Sequence, residues 1–74
     1  MEPINILERR LELFPAKFCW RGRIYEVDSV SECKTMTNPA GRSEVYHFWV
    51  RCAGQQLHLS QQLASGQWML QPYE

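Results

Sequence analysis

Few residues of this chain are of the types that do chemistry, and they are scattered. Its two histidines are His47 and His58, and its three cysteines, Cys19, Cys33 and Cys52, lie far apart with no C-x-x-C pair. A structural zinc site needs sulfur and imidazole ligands at short, regular spacing. The pattern therefore predicts reduced thiols and no metal site.

Nothing in the sequence marks catalytic machinery either. Enzyme chemistry needs a nucleophile beside a base, or paired carboxylates in a pocket. Glu26, Asp28 and Glu32 fall on or near one strand, where alternating carboxylates are typical of a solvated face. We therefore expect no catalytic residue, no cofactor and no enzyme activity.

The residue most suggestive of recognition is Trp49. It lies in segment 44–52, the strongest strand signal in the chain because it is dense in Val, Tyr, Phe and Trp. A turn at Ala53-Gly54 sets the register of a hairpin and divides its strands into two faces. The predicted apolar face comprises Tyr46, Phe48, Val50, Leu57 and Leu59, with Val50 opposite Leu57 and Phe48 opposite Leu59. The predicted polar face comprises Val45, His47, Trp49, Arg51, Gln56, His58 and Ser60.

On the polar face, Trp49 lies opposite His58, and His47 lies diagonal to His58. A Trp flanked by His47 and Arg51 is similar to a stacking platform for a nucleic-acid base or a peptide aromatic. The sequence also allows two structural alternatives. The apolar residues of the N-terminal segment could cover Trp49, and the histidines could be ordinary surface residues rather than a ligand or pH-responsive site.

A second hairpin is predicted around Arg21-Gly22, between two runs rich in aromatic and β-branched residues. Its register gives five opposed pairs: Trp20 with Arg23, Cys19 with Ile24, Phe18 with Tyr25, Lys17 with Glu26, and Ala16 with Val27. A cation–π contact between Trp20 and Arg23 would stabilise the turn by roughly 0.5–1 kcal/mol. Arg21 and Arg23 also form a small basic tip able to touch phosphate, which the pairing of Lys17 with Glu26 weakens.

The N-terminal segment is ambiguous from its own residues. Ile4, Leu7, Leu11 and Phe14 follow helical spacing, whereas 4–6 and 11–13 alternate as in a strand.

The apolar pattern after the Arg21-Gly22 hairpin slips between Val27 and Val30, which predicts a β-bulge or bend near Asp28-Ser29. Segments 35–43 and 61–66 are predicted as loops. Segment 67–71 is predicted as a last short strand, with Trp68 and Leu70 facing one way.

The amino-acid composition limits the class of protein to which this chain can belong. Eight Lys and Arg balance eight Asp and Glu in 74 residues, which removes the usual electrostatic argument for non-specific binding to nucleic acid or membranes. No stretch is long or apolar enough to span a bilayer, and the sequence does not begin like a signal peptide, so we expect a cytoplasmic protein. We predict one all-β domain, 1–74: a small antiparallel meander of about five to six strands, curled into a barrel or strongly bent sheet, its N-terminal segment a strand or short helix.

The hairpin run from Phe18 to Val27 resembles a bacterial family of small β-rich domains of unknown function that share an F-x-W-R-G-R-x-Y-x-V signature. Gly54, 57–59, 65–66 and 68–70 are similar to that family's closing pattern. The resemblance implies that the segment before the hairpin is a strand. It also implies an accessory role in DNA repair, because some related domains are attached to proteins resembling error-prone DNA polymerases.

The function expected from these observations is that of a non-enzymatic binding module. Its candidate recognition residues are Trp49, Arg51, His47, His58, Arg21 and Arg23. The zero net charge favours a protein partner, with nucleic acid as the second choice and no membrane partner. The alternative is a structural or homo-oligomerising domain with no ligand of its own.

Overall fold

The protein is described here by a computed structural model of residues 2–37 and 44–71. These residues form seven strands: β1 (Glu2–Arg10), β2 (Phe14–Trp20), β3 (Arg23–Glu26), β4 (Ser29–Thr37), β5 (Glu44–Cys52), β6 (Gln55–Gln62) and β7 (Trp68–Leu70). All pairings are antiparallel, in the order β3-β2-β1-β7-β6-β5-β4. The all-β prediction is confirmed. The strands outnumber the predicted five to six because segment 23–34 contributes to two of them.

The sheet curls because two parts of the chain change strand partner. β1 pairs with β7 through residues 2–4 and with β2 through residues 5–10. At the other end, the Val27 N–H donates to the Ala16 carbonyl at 2.9 Å, and the next N–H, of Asp28, donates to the Arg51 carbonyl at 2.8 Å. The chain thus passes from β2 to β5 within two residues, so the two edge strands of the sheet meet at this corner.

This corner is the bend predicted near Asp28-Ser29. The change of partner at Asp28 places the partly buried Val30 opposite Val50, against the core. A register shift follows between Val30 and Glu32, with Ser31 as the extra residue. The predicted bend is therefore confirmed.

Both predicted hairpin registers are confirmed, including Trp20 opposite Arg23 and Phe48 opposite Leu59. Each turn has two residues with positive φ, Arg21 (52°) and Gly22 (77°) in one and Ala53 (50°) and Gly54 (81°) in the other. Two consecutive positive φ angles are typical of a type I′ turn, whose twist matches that of the flanking strands.

The core lies on the inner face of the curled sheet. Phe18, Phe48, Val50 and Leu59 are fully buried, and Ile4, Val27, Cys52, Trp68 and Leu70 complete the buried cluster. Tyr46 and Leu57 pack against it partly buried, so the predicted apolar face is confirmed.

Some predicted boundaries are wrong. Thr35–Thr37 and Gln61–Gln62, predicted as loop, belong to β4 and β6, because their backbones continue the ladders on either side of β5 although their side chains are polar. Predicted loop residues 38–43 lie outside the described residues. The helical alternative for the N-terminal segment is also wrong, since β1 is a strand that ends where Leu11 and Glu12 turn with positive φ.

Candidate recognition surface

Strands β4, β5 and β6 turn one set of side chains outward, on the side of the sheet opposite the core. We call this surface the Trp49 face and define it by Lys34, His47, Trp49, Arg51 and His58. The period-two alternation of β5 places His47, Trp49 and Arg51 outside while Phe48 and Val50 point into the core. Lys34 and His58 lie opposite His47 and Trp49 on the neighbouring strands. Three of the five, His47, Trp49 and His58, are in mutual contact.

Trp49 stacks on the ring of its cross-strand neighbour. The Trp49 and His58 ring centroids are 4.4 Å apart with 14° between the planes, and His47 lies 5.9 Å from Trp49 at 27°. The indole is half-buried, and most of its neighbours on this face are polar. The stacking holds a large aromatic side chain in one orientation at the surface.

His47 and His58 share a hydrogen bond. Their Nδ1 and Nε2 atoms are 2.7 Å apart, and the ring centroids are 4.9 Å apart, so the rings meet nearly end to end. One nitrogen must donate and the other accept, which requires that at least one ring be neutral. Burial lowers the pKa of His47 and so favours its neutral form. The diagonal placement from the sequence is confirmed, and the pair can share a proton.

The charged residues of this surface are partly neutralised. Lys34 lies opposite His47, with its Nζ 5.9 Å from the Trp49 ring centroid and 3.3 Å from the Glu32 carboxylate. Arg51 is exposed two residues beyond Trp49 on the same face. Sequence reasoning missed Lys34, because the extra residue in β4 had to be located at Ser31 before the partners of β5 could be assigned.

Ser60 lies opposite His47 but is buried, 2% exposed. Its Oγ accepts a hydrogen bond from Gln71 Nε2 at 2.6 Å. The Ser60 hydroxyl, on the residue opposite His47, is therefore buried and not open to solvent.

The N-terminal segment does not cover Trp49. Ile4 belongs to the core on the inner face, and Leu7 and Leu11 are 50% and 87% exposed. Because β1 pairs with β2 and β7, these residues lie away from the outer face of β5. The expectation that they cover Trp49 is wrong.

The second group of candidate residues, Arg21 and Arg23, lies on the β2–β3 hairpin tip. Arg21 forms a two-pronged hydrogen bond to Glu2, at 2.9 and 3.0 Å, and this bond lowers the pKa of Glu2. The cation over Trp20 is Arg21, 5.0 Å from the ring centroid, rather than the predicted Arg23. A turn residue at positive φ can fold back over its neighbour, which a cross-strand register does not reveal.

The thiols differ in burial. Cys33 is exposed, Cys19 is intermediate and Cys52 is buried, and all three are free. Burial, with the nearby Asp28 carboxylate as a second cause, raises the pKa of Cys52 to about 11. Within residues 2–37 and 44–71, no group of three or more His, Cys, Asp or Glu side chains could hold a metal ion.

Compared with known proteins, the chain matches no family model, no curated protein and no solved structure. The described residues include no helix long and apolar enough to cross a membrane.

Proposed function

We propose that this chain is a non-enzymatic binding module that engages a partner protein through the Trp49 face. One observation carries the proposal: the half-buried indole of Trp49 stacks on His58 at 4.4 Å, on the side of the sheet that the core does not use. An aromatic side chain already held in one orientation loses little conformational entropy on binding. Such residues are frequent anchors of protein interfaces.

The charges favour a protein over a nucleic acid. Lys34, the cation nearest the indole, is paired with Glu32, and Arg21 on the hairpin tip is paired with Glu2. Binding to single strands relies on a positively charged groove along which successive bases stack. Among the described residues, the Trp49 face adds Arg51 to that neutralised Lys34, which suits an interface anchor better than a phosphate track.

Two features of the same surface support the non-enzymatic part of the proposal. Its imidazoles are hydrogen-bonded to each other, and Ser60 beside them is covered by its bond from Gln71. Acid–base catalysis would require a group free to exchange a proton with a substrate. We further propose that the protein acts in the cytoplasm with its thiols reduced, and that its partner belongs to DNA repair, as the resemblance of the hairpin implies.

The test is site-specific crosslinking followed by measured affinity. A photoreactive residue replaces exposed Gln56, which lies opposite Arg51 on the Trp49 face, or exposed Ile24 on β3 as the matched control. A partner captured at position 56 and not at position 24 is then titrated against W49A and I24A. We expect W49A to weaken binding at least tenfold, as for a central interface anchor, and I24A to leave it unchanged. Equal capture at both positions, or unchanged affinity of W49A, overturns the proposal.

A salt titration decides between the partner classes. A single-stranded oligonucleotide that binds through phosphates loses affinity steeply as salt rises, because counterions are released. We expect no binding at low salt. Salt-dependent binding that R51A abolishes would replace the protein partner with a nucleic acid.

A further inference from the structure

The free edge of β4 is a second unexplained surface. β4 is nine residues long and lies at one end of the strand order. Every residue from 31 to 37 is exposed, and no strand of the described residues pairs with the outer edge of β4. Edge strands are usually short, covered or blunted by bulges and charges, because their unpaired backbone groups bind other strands. β4 has a bulge at Ser31, and its regular free edge runs from 33 to 37.

The direction of the β4 backbone groups follows from two hydrogen bonds of β5. The Glu44 carbonyl accepts from Leu63 on the β6 side at 3.1 Å, and the Arg51 carbonyl accepts from Asp28 on the β4 side at 2.8 Å. The N–H and C=O of one residue point to the same side of a strand, and successive residues alternate. Odd-numbered residues of β5 therefore bond to β4.

The β4 partners of Val45, His47 and Trp49 are Met36, Lys34 and Glu32. The backbone N–H and C=O groups of these three residues point towards β5. The residues between them have backbone groups directed at the free edge, and they are Cys33, Thr35 and Thr37.

We propose that β4 pairs antiparallel with β4 of a second copy of this chain, about a two-fold axis at Cys33. Cys33 is the midpoint of Ser29–Thr37, and it is the edge-directed residue nearest the bulge at Ser31. It places Glu32 opposite Lys34 of the second copy, and Lys34 opposite Glu32 of the second copy. Two oppositely charged cross-strand pairs result, in place of the exposed pairing at 3.3 Å within one chain.

Other registers are electrostatically worse. An axis at Lys34 or at Glu32 sets two like charges directly opposite each other, which is destabilising. An axis at Thr35 sets Lys34 opposite Met36 and leaves both ion pairs unmade. Charge complementarity therefore selects the axis at Cys33.

The pairing joins the outer faces of two sheets into one. The Trp49 faces of the two copies then lie side by side, separated by three strand spacings of about 4.8 Å each. Such a dimer would present two Trp49 anchors to one partner. A single strand pair makes a small interface, so the dimer is expected to be weak, with a dissociation constant in the micromolar range. The inference stands beside the proposed function and does not depend on it.

The first test reverses the charges. Analytical ultracentrifugation over roughly 5–500 µM protein should show a reversible dimer, which E32K or K34E alone weakens at least tenfold. The double variant E32K/K34E restores opposed charges and should restore the dimer. A monomer at the highest concentration, or a double variant that stays monomeric, overturns the proposal. W49A should dimerise normally, so a failed dimer and a failed partner interface are told apart.

The second test removes one backbone donor. T35P deletes an N–H directed at the free edge and spares the ladder to β5, whereas the matched T35A keeps that N–H. Both should keep the circular dichroism spectrum of the parent chain. We expect T35A to dimerise and T35P to be monomeric, and a dimeric T35P with unchanged affinity contradicts edge pairing.

The third test measures the register. Spin labels are placed at Cys33 in a C19S background, or at position 37 in a C19S/C33S/T37C variant. Cα atoms at position 33 should lie about 5.5 Å apart across the axis. Those at position 37 should lie roughly 26 Å apart, since each lies four residues from the axis at about 3.3 Å per residue. A shorter distance at 37 than at 33 moves the axis and overturns the assignment.

Discussion

Acidification should destabilise the folded chain through the His47–His58 pair. In the folded state Nδ1 of His47 and Nε2 of His58 are 2.7 Å apart. If both rings are protonated, two donors and two positive charges face each other, so the second proton is opposed by the first. Lys34 opposite His47 and Arg51 beyond Trp49 add positive charge to this face, and Glu32, which lies opposite Trp49 and pairs with Lys34, adds a negative charge.

The direction in which stability changes with pH follows from the lowered pKa of His47. Below the ordinary histidine pKa of about 6.5, the unfolded chain binds a proton that the folded chain resists. Stability is therefore fully present above pH of about 6.5 and is lost as pH falls towards the folded-state pKa. A neutral hydrogen bond contributes about 0.5–1.5 kcal/mol, so the loss should be about 1 kcal/mol. For a domain of this size, that lowers Tm by roughly 4–8 °C.

The assay is thermal unfolding followed by circular dichroism between pH of about 8 and 5. H47Q should have a flatter pH dependence than the parent chain, and H47Q/H58Q should differ little from either single variant, because one bond is removed in all three. The Glu2 carboxylate, whose pKa is lowered by Arg21, affects the stability of the folded chain only below pH of about 4.5. That range lies outside the one measured. An unchanged slope in H47Q would refute the reasoning.

Three other predictions rest on separate parts of the chain. F48A removes a fully buried ring and should cost about 3–5 kcal/mol in urea unfolding, whereas I24A at an exposed position should change the free energy by less than about 0.5 kcal/mol; similar values for the two would contradict the core assignment. A53N should raise stability by roughly 0.5–1 kcal/mol, because asparagine tolerates the positive φ of 50° at this turn better than alanine, and a lower Tm would refute this. Alkylation near pH 8, read by mass spectrometry, should modify exposed Cys33 well before Cys52, whose pKa is raised to about 11; equal rates in the folded chain would contradict the burial of Cys52.

The hairpins could be predicted because their information is local. Arg21-Gly22 and Ala53-Gly54 each fix a two-residue turn, and the turn fixes which side chains oppose each other. The same register, read from the sequence, places His47, Trp49 and His58 together. The alternation of side chains was enough to group these residues, because successive residues of a strand point to opposite faces.

The features that could not be predicted from the sequence depend on contacts between distant parts of the chain. Thr35–Thr37 carry no apolar alternation, since an edge strand exposed on both faces has no core to satisfy. Arg21 binds Glu2, nineteen residues away, and a hairpin register cannot indicate that ion pair. The N-terminal segment reads as helix or strand by period alone, and pairing with β2 and β7 decides it.

The position of the half-buried Trp49 on the outer face of the sheet is the finding that bears most on function. A small domain relies on its aromatic residues to build a core, and Phe18, Phe48 and Trp68 are buried for that purpose. Trp49 alternates out of that core, and its stacking partner is a histidine rather than an apolar residue. A polar β-branched residue at this position, such as threonine, would keep the strand propensity and lose only the stacking on His58 and His47. We therefore expect W49T to retain most of the stability of the parent chain while losing partner binding, a separation that a core tryptophan would not allow.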